Sequence, residues 1–307
     1  MHGLLNGLYQ QLVALRAEET NVSTVTGVGI YHCHKPQSLR AIPIHQATVM
    51  LVIEGHKAAD LGASQSVVVE PGELLILPAD TTLWIGNQPQ RQKQEYLAIA
   101  LSFDSDTIRR FRDTYHAHLR EWNTTPHLHA TAPPAMLVAL QQWLQWCQQF
   151  PVDATLREHR RVEILLLLAQ AGLASNLLKH ENPSLRQQIS RLLAQDTARN
   201  WQIRDVCEVL CTSESSLRRR LRAENSRFRD LLEEVRLATG LSLLQETYWP
   251  VGRIAQTVGY QSQSRFGERF KQRFGMTPTE LRRTRFAENR ENPAVAGEPT
   301  RGSSGRL

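Results

Sequence analysis

The sequence predicts an α+β protein: a small antiparallel β-barrel with helices before and after it, followed by an all-helical segment. Three observations carry this. Short apolar runs of strand length, separated by turn residues, fill the stretch from about Val25 to Phe103. Helical periodicity resumes near Thr107 and runs on to about Arg285. Within the later helices, a pattern of small and apolar residues occurs twice.

Each element follows from its residues. Residues 1–20 read as an amphipathic helix, with Leu4, Leu5, Leu8, Leu12 and Leu15 on one side. The strand runs are Val49–Ile53, Val67–Val69, Leu74–Leu77, Leu83–Ile85 and Tyr96–Phe103. The turns expected between them are Glu54-Gly55, Pro71-Gly72, Pro78-Ala79-Asp80 and Gly86-Asn87. These connections are too short for helical crossovers, so the sheet is expected to be antiparallel. Three helices are expected over about 105–121, 134–149 and 154–180, punctuated by Pro133, Pro151 and Pro183. In the second, Leu137, Leu140, Leu144 and Cys147 recur at helical spacing beside Trp143 and Trp146. That stripe is either a core face or a dimer seam, and its width leads us to expect a homodimer through the helices between Thr107 and His180.

Length and charge organise the chain further. The 307 residues suit two domains. Asn182-Pro183-Ser184 reads as the hinge between a domain over 1–182 and one over 183–286, with a disordered polar tail over 287–307. No apolar run reaches the roughly 18 residues of a membrane span. Residues Met1 to Tyr9 lack a cationic start and a long apolar stretch, so no export signal is expected. Cys33, Cys147, Cys207 and Cys211 form no disulfide framework, which fits a reducing cytoplasm. From Leu185 to Phe286 there are 19 Lys and Arg against 11 Asp and Glu, whereas the whole chain is only +6. The excess is therefore confined to the C-terminal domain, which points that domain at an anionic polymer.

The repeat lies in this basic domain. Val206-Cys207 corresponds to Ile254-Ala255 and Leu210 to Val258; beyond the turn, Leu217 and Leu221 correspond to Phe266 and Phe270, one position further on. Small residues, Cys207 and Ala255, sit where two helices approach closely. Cys211 and Gly259 end the first helix of each unit, and only glycine takes a left-handed cap without cost. Ser213 and Ser262 suit the N-caps of the second helices. Leu217/Leu221 and Phe266/Phe270 face the core, which leaves Ser215, Arg218, Arg219 and Arg222 on one open face and Ser264, Gly267, Glu268 and Lys271 on the other. Gln263 and Arg265 open the second of these helices. Arginine can grip guanine O6 and N7 through two hydrogen bonds, and Lys271 suits a phosphate. Glu268 would accept from cytosine N4 or pair with Arg265. A helix over Phe228–Glu246, burying Leu231, Leu232, Val235, Ala238 and Leu241 or Leu243, would join the units.

Here the residues resemble a family. Trp201 to Arg285 resembles the two-unit DNA-binding domain of AraC/XylS-type regulators, best over Ile254-Ala255, Val258-Gly259-Tyr260, Ser262, Ser264, Phe266, Phe270-Lys271, Phe274-Gly275, Thr277-Pro278 and Leu281-Arg282. The first unit departs from it, with Cys207 and Cys211 where the family often has Ala and Gly. Val49 to Gly62 and Glu70 to Pro78 resemble the cupin-like sensor barrel fused to such domains. The resemblance implies a sequence-specific transcription regulator, an activator, that meets double-stranded DNA and RNA polymerase. Its N-terminal domain would bind a small effector or mediate dimerisation.

The rival reading is a metal-dependent cupin enzyme tethered to a DNA-binding domain. His32-Cys33-His34, His116-Ala117-His118 and His127-Leu128-His129 invite a metal. A metal-binding cupin places His-x-His a few residues before a Glu, and after His34 the next acidic residue is Glu54. Cys207 and Cys211, one helical turn apart, lack partners for zinc and read as packing residues. We therefore expect no metal, no cofactor, no catalytic residues and no membrane partner. There is also no glycine-rich phosphate loop and no nucleophile elbow.

Overall fold

A computed structural model of the protein describes residues 1–17, 28–62, 65–119, 122, 125–150, 153–179 and 184–287. The expected tail beyond Ala287, the Asn182-Pro183 half of the expected hinge and residues 18–20 of the first expected helix lie outside these.

Alternation along the strands sets the architecture. β1 is Gly29–Cys33, β2 Gln37–Ile44 and β3 Ala47–Glu54. β4 is His56–Asp60, β5 Ser66–Val69, β6 Glu73–Leu77, β7 Thr81–Gln88, β8 Tyr96–Phe103 and β9 His129–Thr131. Every residue of β3 is buried because its two faces meet different partners. Val49, Leu51 and Ile53 join one apolar cluster, Met50 and Val52 another. β8 divides the same way, with Leu97, Ile99 and Leu101 on the first side and Tyr96, Ala98 and Ala100 on the second. These strands are the middle layer of the domain. Their antiparallel sheet runs β1-β8-β3-β6-β9. The second antiparallel sheet, β2-β7-β4-β5, supplies Leu39, Ile42, Ala59, Val69, Leu83 and Ile85 to the second cluster.

Helices cover the other side. α1 (His2–Ala17) buries Leu5, Leu8, Leu12 and Leu15; α2 is Ser105–Leu119, α3 Pro134–Gln149 and α4 Ala154–Gln170. Leu137, Leu140, Trp143, Leu144 and Cys147 of α3 are buried within the chain, in the same cluster as the α1 leucines. The stripe is thus a core face and is not open to a second copy. Trp146, at 42 % exposure, stands outside it, as does Val138 on the same helix.

Three sequence expectations need correction. Gly86 and Asn87 lie inside β7, paired with Ser38 and Gln37 on one side and Ala58 and Lys57 on the other. Gly86 is needed there because a Cβ would come within 2.8 Å of the Trp84 ring. The helix expected to reach residue 180 ends at Gln170, since Gly172 takes a φ of 73° and the chain turns. β1, β2, β4 and β9 carry no continuous apolar run and were not foreseen as separate strands.

The C-terminal domain is helical: α5 (Leu185–Gln195), α6 (Ile203–Val209), α7 (Glu214–Ala223), α8 (Phe228–Glu246), α9 (Val251–Thr257), α10 (Gln263–Phe274) and α11 (Pro278–Thr284). Its two units pack unequally. The first has its own core of Leu185, Ile189, Leu193, Trp201, Val206, Leu217, Leu221, Leu231 and Val235. In the second, Leu241, Leu244, Ile254, Val258, Phe266, Phe270 and Phe274 continue the apolar cluster between the two sheets. α8 packs on β1 and α10 on β2. The backbone amides of His34 and Lys35 donate to Thr284 O at 2.7 and 3.2 Å. Among the described residues no helix is long and apolar enough to cross a membrane.

Candidate nucleic-acid interface

Both turns of the repeat close as their residues demand. After α6, Cys211 takes a φ of 48°, and after α9, Gly259 takes 83°. The cysteine accepts a left-handed conformation that costs an L-residue about 1–2 kcal/mol; any Cβ at Gly259 would meet Arg236 and Thr197 O at about 2.8 Å. Ser213 Oγ accepts from Ser216 N at 3.2 Å, and Ser262 Oγ from Arg265 N at 3.0 Å, so each second helix is N-capped by its serine. Leu217, Leu221, Phe266 and Phe270 are all buried.

The opposite faces are open. Ser215, Arg218, Arg219 and Arg222 of α7 are exposed. Arg218 Nε donates to Glu214 Oε1 at 2.9 Å, and its Nη2 closes on the same oxygen. Among the described residues nothing holds Arg219 or Arg222. On α10, Gln263, Ser264, Arg265, Glu268 and Lys271 are exposed, whereas Gly267 is half-buried beside Pro278, which corrects its expected exposure. Among the described residues Glu268 and Arg265 form no ion pair.

Paired charges fix α10 to its scaffold. Arg269 forks onto both carboxylate oxygens of Glu233 on α8, one at 2.5 Å, and this hydrogen bond holds the Glu233 carboxyl below its usual range. Glu234 bridges Arg186 of α5 at 2.5 Å and Arg273 of α10 at 3.0 Å. Gly240 of α8 lets the Phe266 ring lie where a Cβ would come within 2.9 Å. Arg285 Nη1 donates to Leu244 O and Thr247 O at 2.7 and 2.8 Å, capping the C-terminus of α8. At ~1.5 Å per residue, α8 spans about 28 Å between the units. These pairs join residues far apart in the chain and impose no period on the sequence, whereas Glu214 and Arg218 lie four apart on one helix.

The structure adds a feature the sequence did not announce. A cavity of about 510 Å³ lies between the four-stranded sheet and helices α5 and α8. Ile42, Ile44, Ile85 and Lys57 line it from the barrel, and Val235 and Leu241 from α8. Lys57 is buried, and burial pushes its ammonium down to about 8. Its hydrogen-bond partner is the neutral Asn87, at 2.5 Å. Asp80, also on the rim, binds Gln187 of α5.

The histidine pairs disperse. His32 is buried in β1, and burial lowers its basicity further. His34 Nδ1 meets Gln94 O at 2.9 Å, and His129 Nε2 meets Glu73 Oε2 at 2.7 Å. Among the described residues no three His, Cys, Asp or Glu gather as a metal cluster.

Comparison with known proteins agrees with this layout. Residues 24–175 match the family described as AraC-type transcriptional regulator N-terminus, and residues 206–284 match a helix-turn-helix domain family. The urease operon transcriptional activator of Escherichia coli is 32% identical over 133 residues, which are 42% of this chain and 45% of that one. The HTH-type transcriptional regulator GadX of Escherichia coli K12 is 31% identical over 120 residues, 38% of this chain and 44% of that one. The chain thus spans about half the length of the curated relatives it matches. Among solved structures, ToxT from Vibrio cholerae superposes with a TM-score of 0.60 at 15% identity, covering 85% of this chain and 98% of that one. Wild-type ToxT with a bound unsaturated fatty acid gives 0.59 at 16% identity, over 84% of this chain and 94% of that one.

Proposed function

The chain belongs to the AraC-type family of transcriptional regulators, and from that premise we propose that it is a sequence-specific DNA-binding regulator, an activator controlled by a small-molecule effector. The observation that carries the reading is the pair of serine-capped helices, α7 and α10. Each buries an i,i+4 apolar pair and turns a polar face outward, within the segment that holds the chain's excess of arginine. Arg218, Arg219 and Arg222, with Ser215, read one major-groove segment; Gln263, Ser264, Arg265 and Glu268 read the next, and Lys271 takes a phosphate. The curated relatives named above are transcription regulators, and an activator's further partner is RNA polymerase. No catalytic step, metal or cofactor enters this function, and its place is the cytoplasm.

Residues 1–182 form the regulatory domain and 183–286 the DNA-binding domain. The effector seat is the cavity between them, where a ligand touches sheet and reader scaffold at once. The unsaturated fatty acid of the ToxT structure sets the ligand class worth trying first. A homodimer would use the surface of α3 that is left open, where the Trp146 and Phe150 rings lie 4.8 Å apart. The decisive experiment selects bound sequences from random DNA with the full chain, with and without acidic and neutral metabolites. Enrichment of no sequence would overturn the reading.

A further inference from the structure

A polar ladder crosses the four-stranded sheet from the cavity to the last helix. Gln37, Asn87 and Lys57 stand directly opposite one another on β2, β7 and β4. Lys57 Nζ donates to Asn87 Oδ1 at 2.5 Å, and Asn87 Nδ2 donates to Gln37 Oε1 at 2.8 Å. Gln37 Nε2 donates to Thr284 Oγ1 at 2.7 Å, and that hydroxyl donates to Leu281 O at 2.6 Å. All four ladder residues are buried. Thr284 is also the residue whose carbonyl takes the amides of His34 and Lys35, where α11 sits on the barrel.

The direction of the whole chain is set at one end. An ammonium has only donors, so it can meet only the oxygen of the Asn87 amide. The Asn87 NH2 must then face Gln37 Oε1, the Gln37 NH2 must face Thr284, and the threonine hydrogen is left for Leu281. Without the ammonium, Asn87 and Gln37 are free to flip, and a flipped Gln37 presents an oxygen to Thr284 and competes for its hydrogen.

Resting on the effector reading above, we propose that this ladder is a coupling device. An acidic ligand headgroup in the cavity draws the Lys57 ammonium off Asn87, the amide order is released, and Thr284 loosens the seat of α11 and the second DNA-reading unit. The demand for an acid comes from the site itself: Lys57 is a buried cation lining the cavity, with Arg191 on the same lining and a neutral amide as the hydrogen-bond partner of Lys57.

The seat reports itself through the His34 and Lys35 amides, so hydrogen exchange on the full-length protein is the assay. Lys57→Met is expected to speed exchange at both amides about five-fold, the ratio that one hydrogen bond of ordinary net strength represents. Gln37→Met, which cuts the ladder in the middle, should do the same, and the double variant should add nothing further. Ser38→Ala, an exposed neighbour outside the ladder, should leave both amides unchanged. In the unmodified protein, cis-9-hexadecenoic acid should bind and speed the same amides, and the corresponding alcohol should not. If Lys57→Met and Gln37→Met both exchange like Ser38→Ala, the coupling is wrong. Binding of the acid without any change at the two amides overturns the coupling and leaves the effector reading standing. Amides that respond to both substitutions, with no binding of the acid, uphold the ladder and overturn this choice of effector.

Discussion

Replacing Arg218 and Arg219 by alanine, singly and together, tests the proposed reading face most directly. The two arginines start from different positions. Arg219 has no intramolecular partner among the described residues, so a base contact made by it replaces only water. Arg218 must first leave Glu214. Both members of that pair are about half exposed, and it joins residues four apart on one helix. Such a pair is worth about 0.3–0.5 kcal/mol. A bidentate contact to guanine is worth about 1–3 kcal/mol of discrimination, so it exceeds the pair even at its weakest. Each single substitution that removes a base contact should therefore cut the ratio of specific to random binding by about 5- to 150-fold. Glu214→Ala should raise affinity for both kinds of DNA by about two-fold, because it frees Arg218 and removes a charge repelled by phosphate. The assay is fluorescence anisotropy with the full chain, on a selected site and on a random duplex of equal length. If the ratio survives loss of both arginines, α7 does not read bases, whatever α10 does.

Lys271→Ala should weaken selected and random DNA alike and lower the slope of log affinity against log salt by about one. A change confined to the selected site would reassign Lys271 to base reading. Gly240→Ala should destabilise the fold by about 1–3 kcal/mol through overpacking against Phe266, measured by urea unfolding; a neutral result would mean that α8 and α10 are less tightly packed than described. The Lys57 ammonium titrates at about 8 in the fold and about 10.4 unfolded, so the unfolded chain holds the extra proton between those values. Its burial cost is therefore fully present below pH 8, and its own contribution to stability should rise with pH from 8 to about 10.4. Cys33 beside it is pushed up to about 12, so from about 8.5 upward it loses its proton in the unfolded chain alone and lowers stability there; the Lys57 contribution is read as the difference between the parent and Lys57→Met profiles. Lys57→Met should abolish that contribution, and an unchanged profile would place the titrating group elsewhere. Finally, Trp146→Glu combined with Phe150→Ser should shift a dimer to monomer in analytical ultracentrifugation. A parent protein that is monomeric throughout the micromolar range would end the homodimer proposal.

What the sequence determined by itself is what short-range rules govern. The leucine stripe of α1, the strand runs from Val49 to Phe103, the serine caps at 213 and 262 and the exact span of α8 all follow from spacing within one element, and each was legible. So was the exposure of one face of α7 and of α10, Gly267 apart, because burying Leu217/Leu221 and Phe266/Phe270 forces the opposite side of each helix outward. Tertiary structure decided what depends on partners distant in the chain. The α3 stripe of Leu137, Leu140 and Leu144 has the same period whether it meets α1 or another protein, and only the fold shows that α1 fills it. Gly86-Asn87 has the composition of a turn, yet Trp84 packing over the glycine and side-chain bonds to the asparagine hold it inside β7. The cavity and the ladder from Lys57 to Thr284 were invisible for the same reason. Their residues lie up to 247 positions apart, and a hydrogen bond closed across that separation imposes no period on the chain that makes it.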